Sequence, residues 1–143
     1  MAQLPSGLPD QVADDEDLAR FLTQRNQYTA TTVKPAVFLP SPKDRKTSVS
    51  RHGAEPAQRL WELGLVAAGQ RTLLGAAIFK AKAVQEAKLE VVPAEPPSFH
   101  AVIGGWPRID NDHELQKAKQ KELALGLASA AGKPIMRTLD VAH

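Results

Sequence analysis

The sequence predicts an α+β fold: a single small domain in which about five short strands form a mixed or largely antiparallel sheet, with two or three helices packed on one face. The chain has 143 residues, the usual size of one domain. Hydrophobic residues make up 43% and charged residues 24%, as in ordinary globular proteins. Short apolar runs alternate with segments of helical apolar spacing. We divide the chain into a flexible N-terminal leader (residues 1–12), the domain (13–134) and a loose C-terminal tail (135–143).

Composition excludes several kinds of chemistry. The sequence has no cysteine, which rules out disulfides, thiolate catalysis and cysteine-ligated metal sites. A formal charge of +2 is too small to indicate nucleic acid by itself. The N-terminus lacks the basic start and apolar run of a signal peptide, and no apolar stretch reaches membrane-spanning length. We therefore expect a soluble cytoplasmic protein with no cofactor and no membrane contact.

The first half of the chain predicts one helix and two strands. Acidic residues precede an apolar run with helical spacing, which predicts a helix over residues 14–25. An apolar run between two prolines predicts a strand over residues 36–39. Residues 47–52 alternate as a second strand, in which only Val49 is apolar. We expect this polar strand at a sheet edge or in the wall of a polar cleft, forming a hairpin with the first.

The second half carries the stronger signals. A proline start and a 3.6-residue apolar spacing predict a helix over residues 56–68. Strands are predicted over 76–80, 89–92 and 98–105, with one or two helical turns between the first two of these. That connection is short for a parallel crossover, so we expect a mixed or antiparallel sheet. A long helix over residues 113–131 completes the domain and should share one face of the sheet with the helix of 56–68.

Arg51, His52 and Gly53 follow a strand, and this order resembles the nucleophile motif of the histidine phosphatases. In that family the histidine accepts the phosphoryl group and the neighbouring arginine holds phosphate oxygens. The resemblance covers these three residues alone, and the further arginine and second late histidine of the family have no match here beyond His100. It implies a small hydrolase or phosphate-handling enzyme that uses His52 and His100 as catalytic residues, with Arg51 binding the anion.

The same two histidines would also form an acid and base pair, or part of a metal site, if their strands were neighbours. No third ligand stands at a spacing that a metal site requires, so we predict none. The simpler alternative for His100 is a half-buried histidine that hydrogen-bonds a backbone carbonyl. For His52 and Arg51 it is a strand end with a solvated arginine.

Two further surfaces are candidates. Lys43, Arg45 and Lys46 form a basic loop that would contact phosphates, including those of nucleic acid, although the aromatic platform typical of single-strand binders is missing. A solvated loop explains the same residues more simply. Trp106 follows a glycine pair and would anchor a protein partner if it were exposed, whereas a turn that folds it onto the core is the alternative.

We favour a small binding or accessory protein, rather than an enzyme, that contacts a ligand or protein partner through a polar cleft or sheet edge. Residues 47–52 and 100–106 would form that surface. The alternatives are the enzyme that uses His52 and His100, and a nucleic-acid-associated protein that uses the basic loop, which we favour less.

Overall fold

A computed structural model describes residues 6–51 and 57–137 of the chain. Its six strands form one antiparallel sheet in the order β4-β5-β2-β1-β3-β6. The strands are β1 (Asp17–Leu22), β2 (Thr47–Arg51), β3 (Gly75–Lys80), β4 (Glu90–Pro93), β5 (His100–Gly104) and β6 (Ile135–Met136). The α-helices are α1 (Ala57–Ala68), α2 (Ala81–Glu86) and α3 (His113–Ala131). The predicted α+β class is confirmed, with one strand more than we expected.

The main hydrophobic core lies on one face of the sheet, under α2, α3 and a 3₁₀ helix, Pro35–Phe38. Phe38 meets Phe79 of β3 edge to face, with 5.3 Å between the ring centroids. α2 contacts both β3 and β4, although three other strands separate these two in the sheet. The sheet therefore curves around this core.

α1 packs on the opposite face, over a smaller core. Leu60 of α1 is buried there against Ala19 and Ala76. The helix approaches the sheet closely at Gly64, where an added Cβ would lie 2.8 Å from the Phe21 ring. Two helices, α2 and α3, thus share one face of the sheet as predicted, whereas α1, which we expected beside α3, covers the other face.

The helix predicted over residues 14–25 is wrong, because this segment contains strand β1. Leu18 and Leu22 face the main core, while Ala19 and Phe21 face α1. A strand that is covered on both faces has a nearly continuous apolar sequence. A short apolar run of this kind also fits helical spacing, and periodicity alone does not separate the two.

The strand predicted over residues 36–39 is also wrong, because residues 36–38 belong to the 3₁₀ helix Pro35–Phe38 and Leu39 follows its end. Pro35 suits the first helical position, where a missing N–H costs nothing and a fixed φ is already helical. Val37 and Phe38 are buried in the main core from this helix. The predicted hairpin between this segment and β2 does not form, since β2 pairs with β1 and β5.

Strand β2 lies inside the sheet, between β5 and β1, and not at an edge. Its polar residues on the core face have partners, which makes this position stable. The Thr47 hydroxyl donates to the Phe38 carbonyl at 2.7 Å, and Arg51 forms an ion pair with Glu16.

Both ends of the described chain contact the sheet region. In the predicted leader, residues 1–12, the Ser6 N–H and hydroxyl donate to the Glu95 carboxylate at 3.0 and 2.6 Å. The predicted loose tail begins with strand Ile135–Met136, which pairs with β3. Gly75 of β3 permits this approach, because an added Cβ would lie 2.6 Å from the backbone oxygen of Ile135.

Candidate functional site

The two faces of β2 have different roles. One face points into the main core, and the other points towards α1. The antiparallel register places Ser50 opposite Ala19 of β1 on one side and opposite His100 of β5 on the other. Because opposite residues of paired strands lie on the same face, Ser50 and His100 share the face that α1 covers. Ser48 lies on this face too, two residues along the strand.

α1 covers only part of this face and leaves a groove of about 580 Å³ between the helix and the sheet, here called the α1 groove. Ser48, Ser50 and His100 line it from the strands. Leu63 and Val66 line it from the helix. Its volume is within the range of small-molecule sites, which runs from roughly 300 to 1,000 Å³.

Two arginines line the groove near the C-terminal end of α1. The Arg20 Nε donates to the Val37 carbonyl and its Nη1 to the Ser48 carbonyl, both at 2.9 Å. Burial and, after it, the nearby Arg71 guanidinium hold the pKa of Arg20 below its ordinary value. Arginine nevertheless stays protonated in proteins. The groove therefore contains two neighbouring positive charges.

The other end of the groove lies near the start of α1. Arg59 is 3.6 Å from Glu62 in an exposed ion pair, and its guanidinium carbon lies 5.9 Å from the centre of the Phe99 ring. Pro97 and Ser98, in the connection between β4 and β5, line this end. Contact between Arg59 and Phe99 joins α1 to that connection at this end of the groove.

His100 and Ser50 supply polar groups on the floor of the groove. The His100 Nδ1 lies 3.0 Å from the Ala94 carbonyl, and because a carbonyl only accepts, Nδ1 is the donor of this bond and Nε2 is left for other partners. The Ser50 residue is 7% exposed, and its hydroxyl has no hydrogen-bond partner within the part of the chain that the structure describes. A buried polar group without a partner needs an explanation, and a bound ligand or ordered water supplies one.

Arg51, a predicted anion-binding residue, faces the main core and not the groove. It is fully buried. Its Nε and Nη2 each donate to a Glu16 carboxylate oxygen at 2.8 Å, and its Nη1 donates to the Pro9 carbonyl at 2.6 Å. All three nitrogens of the guanidinium thus have protein acceptors, which favours a structural role.

Trp106, the predicted anchor for a protein partner, is 7% exposed and belongs to the main core. Its Nε1 donates to the Ile103 carbonyl at 3.2 Å. The indole is therefore packed and hydrogen-bonded inside the domain, in agreement with the turn that we considered as the alternative. Its burial weakens the argument for a partner anchored on Trp106.

Lys43, Arg45 and Lys46 are exposed in the loop before β2. Arg45 lies near Asp110, and contributes, after Arg108, to holding the pKa of Asp110 below its ordinary value. The loop is thus close to a carboxylate as well as to solvent. Its contact with nucleic acid stays a prediction.

His52 lies outside the described residues, so the catalytic pair of His52 and His100 also stays a prediction. Among the residues that the structure describes, no group of three or more histidine, aspartate or glutamate side chains could hold a metal ion. His100 is therefore the predicted catalytic residue whose surroundings are defined, and it lines the α1 groove.

Sequence reasoning identified one wall of this site and missed the other. The groove residues of β2 and β5 fall inside the predicted cleft. Arg20 was missed because its segment was interpreted as a helix, and Arg71 because it follows a helix in a short loop. The sequence carried one signal of this wall, because α1 has more apolar residues than its buried face requires. In the structure Leu65 and Val66 are 47% and 64% exposed.

Comparison of the chain with protein-family models, with curated proteins and with solved structures finds no match. No helix in residues 6–51 and 57–137 is long and apolar enough to span a membrane.

Proposed function

We propose that this protein binds a small molecule in the α1 groove and acts as a binding or accessory protein. The observation that supports this proposal is the groove itself, a concavity of about 580 Å³ with apolar residues on its helical wall and polar groups on its floor. Small-molecule sites combine a mainly apolar lining with a few convergent polar groups. As part of the same proposal we place the protein in the cytoplasm, because a cysteine-free chain suits a reducing compartment.

Two adjacent residues of α1 provide a matched test. Val66 lines the groove, whereas Leu65 does not, and both side chains are substantially exposed. Val66→Trp should fill the groove, and Leu65→Trp should add the same side chain outside it. Thermal unfolding of both variants first establishes that each one folds.

The measurement is a screen of a small-molecule library by two-dimensional NMR on the full chain. We expect compounds that bind to shift the backbone amide signals of Ser48, Ser50 and His100. Val66→Trp should weaken their binding by about tenfold or more, a change of 1.4 kcal/mol or more, while Leu65→Trp leaves it unchanged. Compounds whose shifts map elsewhere, or whose affinity is the same in both variants, would contradict the proposal.

A further inference from the structure

We propose that the ligand of the α1 groove is an organic anion: a small molecule in which a carboxylate, phosphate or sulfonate group is attached to an apolar body. This inference rests on the proposed function of the groove and names the class of ligand.

The first argument is the uncompensated charge of Arg20 and Arg71. Within the part of the chain that is described, neither guanidinium forms an ion pair. Both line the groove, and they are close enough for the charge of Arg71 to affect the pKa of Arg20. Arg20 is partly buried and Arg71 is exposed beside it, and two neighbouring like charges, one of them desolvated, are unfavourable unless an anion compensates them.

The second argument is the hydrogen-bonding capacity that these arginines retain. Arg71 uses Nε and Nη2 to bind the Ala68 and Ala67 carbonyls, both at 3.2 Å, at the end of α1. Arg20 uses Nε and Nη1 for carbonyls. One terminal nitrogen of each guanidinium therefore has no partner among the described residues. Charge-assisted bonds to an anionic oxygen are the strong bonds that such donors form.

The third argument is the apolar part of the lining. Phe21 lines the groove from β1, and Leu63 and Val66 line it from α1. A free inorganic anion would leave these side chains uncovered, whereas an apolar body would bury them. The Ser50 hydroxyl and the His100 Nε2 then add hydrogen-bonding groups on the floor.

The test uses two fluorescent probes that differ in one group. These are 8-anilinonaphthalene-1-sulfonate and N-phenyl-1-naphthylamine, which is the same ring system without the sulfonate. Fluorescence titration of the full chain should show saturable one-to-one binding of the sulfonate probe, about tenfold tighter than that of the neutral probe. Arg71→Gln should remove this difference and leave the affinity for the neutral probe unchanged.

Two further variants act as controls. Lys119→Gln removes the same charge from an exposed position on α3, on the opposite face of the sheet, and should not affect the sulfonate probe. Arg71→Lys keeps the charge and should retain part of the preference. Displacement of the probe by octanoate, octyl phosphate and octanol then compares the head groups, and we expect both anions to displace it and octanol to do so much less.

The outcomes separate this inference from the function on which it rests. Equal affinity for the two probes, with no effect of Arg71→Gln, or displacement by octanol as strong as by the anions, overturns the choice of an anion. The groove remains a binding site in that case if Val66→Trp still blocks both probes. If Val66→Trp changes neither affinity, or binding is not saturable, the groove does not bind them and both proposals are overturned.

Discussion

Replacing Glu16 by alanine should destabilise the fold by about 3–5 kcal/mol, the usual cost of removing one partner from a buried ion pair. Arg51 is 0% exposed and Glu16 11%, and two charge-assisted bonds of 2.8 Å join them. Without the carboxylate, the buried guanidinium keeps only one hydrogen-bond acceptor, the Pro9 carbonyl at 2.6 Å. Since domains are stable by roughly 5–15 kcal/mol, this loss is a large share of the total. Urea denaturation followed by circular dichroism measures it.

The neighbouring residue provides the control. Asp17 also forms an ion pair at 2.8 Å, but its partner Lys80 is exposed. Asp17→Ala should therefore change stability much less than Glu16→Ala. Arg51→Met combined with Glu16→Ala should be more stable than Glu16→Ala alone, because the uncompensated charge is then gone. Our reasoning is refuted if Glu16→Ala costs no more than Asp17→Ala, or if Arg51→Met does not rescue it.

Three further predictions concern other contacts of the fold. Gly64→Ala should lower the free energy of unfolding by about 1–3 kcal/mol through overpacking, whereas Gly126→Ala, where an added Cβ meets nothing within 4 Å, should raise it by about 0.5–1 kcal/mol in the same denaturation assay. The hydrogen bond to Asp17 and the charge of Asp17 raise the pKa of Lys80 above 10.5. The ion pair therefore stabilises the fold below pH 10.5, and this stabilisation is lost as the pH rises through the pKa of the folded state. NMR titration of Asp17→Asn should show the pKa of Lys80 return towards 10.5. Finally, Ser50→Ala should leave stability unchanged or raised while Thr47→Val lowers it.

Elements with their own start and stop signals could be predicted from the sequence. The long helix α3 begins after Asp112, whose carboxylate accepts from the Leu115 N–H at 3.0 Å, and it ends at Gly132, which has φ of 63°. An aspartate cap and a glycine stop are local features that a sequence displays directly. Strand β3 similarly begins at Gly75 and contains an uninterrupted apolar run.

The strand state of β1 and the interior position of β2 could not be predicted, because long-range contacts decide both. The spacing of Leu18, Phe21 and Leu22 fits a helix, and only the neighbouring strands and two covering layers make the segment a strand. β2 looked too polar for an interior position. Arg51 is nevertheless stable there because its partner, Glu16, lies 35 residues earlier, at a distance that no local pattern reveals.

The candidate site, too, could be predicted only in part from the sequence. His100 and the serines of β2 were expected in one cleft, because alternation along a strand is visible in the sequence. Arg20 and Arg71 come from a strand and from the loop after α1, and only the tertiary fold brings them to the same groove. Their proximity is the basis of the proposed ligand class, so the sequence alone indicated a polar cleft and not an anion site.

The contrast between Ser50 and Thr47 tests whether the groove is a site and not a packing defect. Both hydroxyls are on β2 and both residues are buried, at 7% and 1% exposure. The Thr47 hydroxyl satisfies the Phe38 carbonyl, so Thr47→Val should cost about 1 kcal/mol or more by leaving that acceptor unpaired.

The Ser50 hydroxyl satisfies no described protein group, so its removal by Ser50→Ala should cost the fold nothing, yet it should weaken the sulfonate probe severalfold if the hydroxyl binds ligand. Loss of stability in Ser50→Ala equal to that in Thr47→Val would show that the hydroxyl is structural. Loss of binding without loss of stability is expected only of a residue whose partner is the ligand.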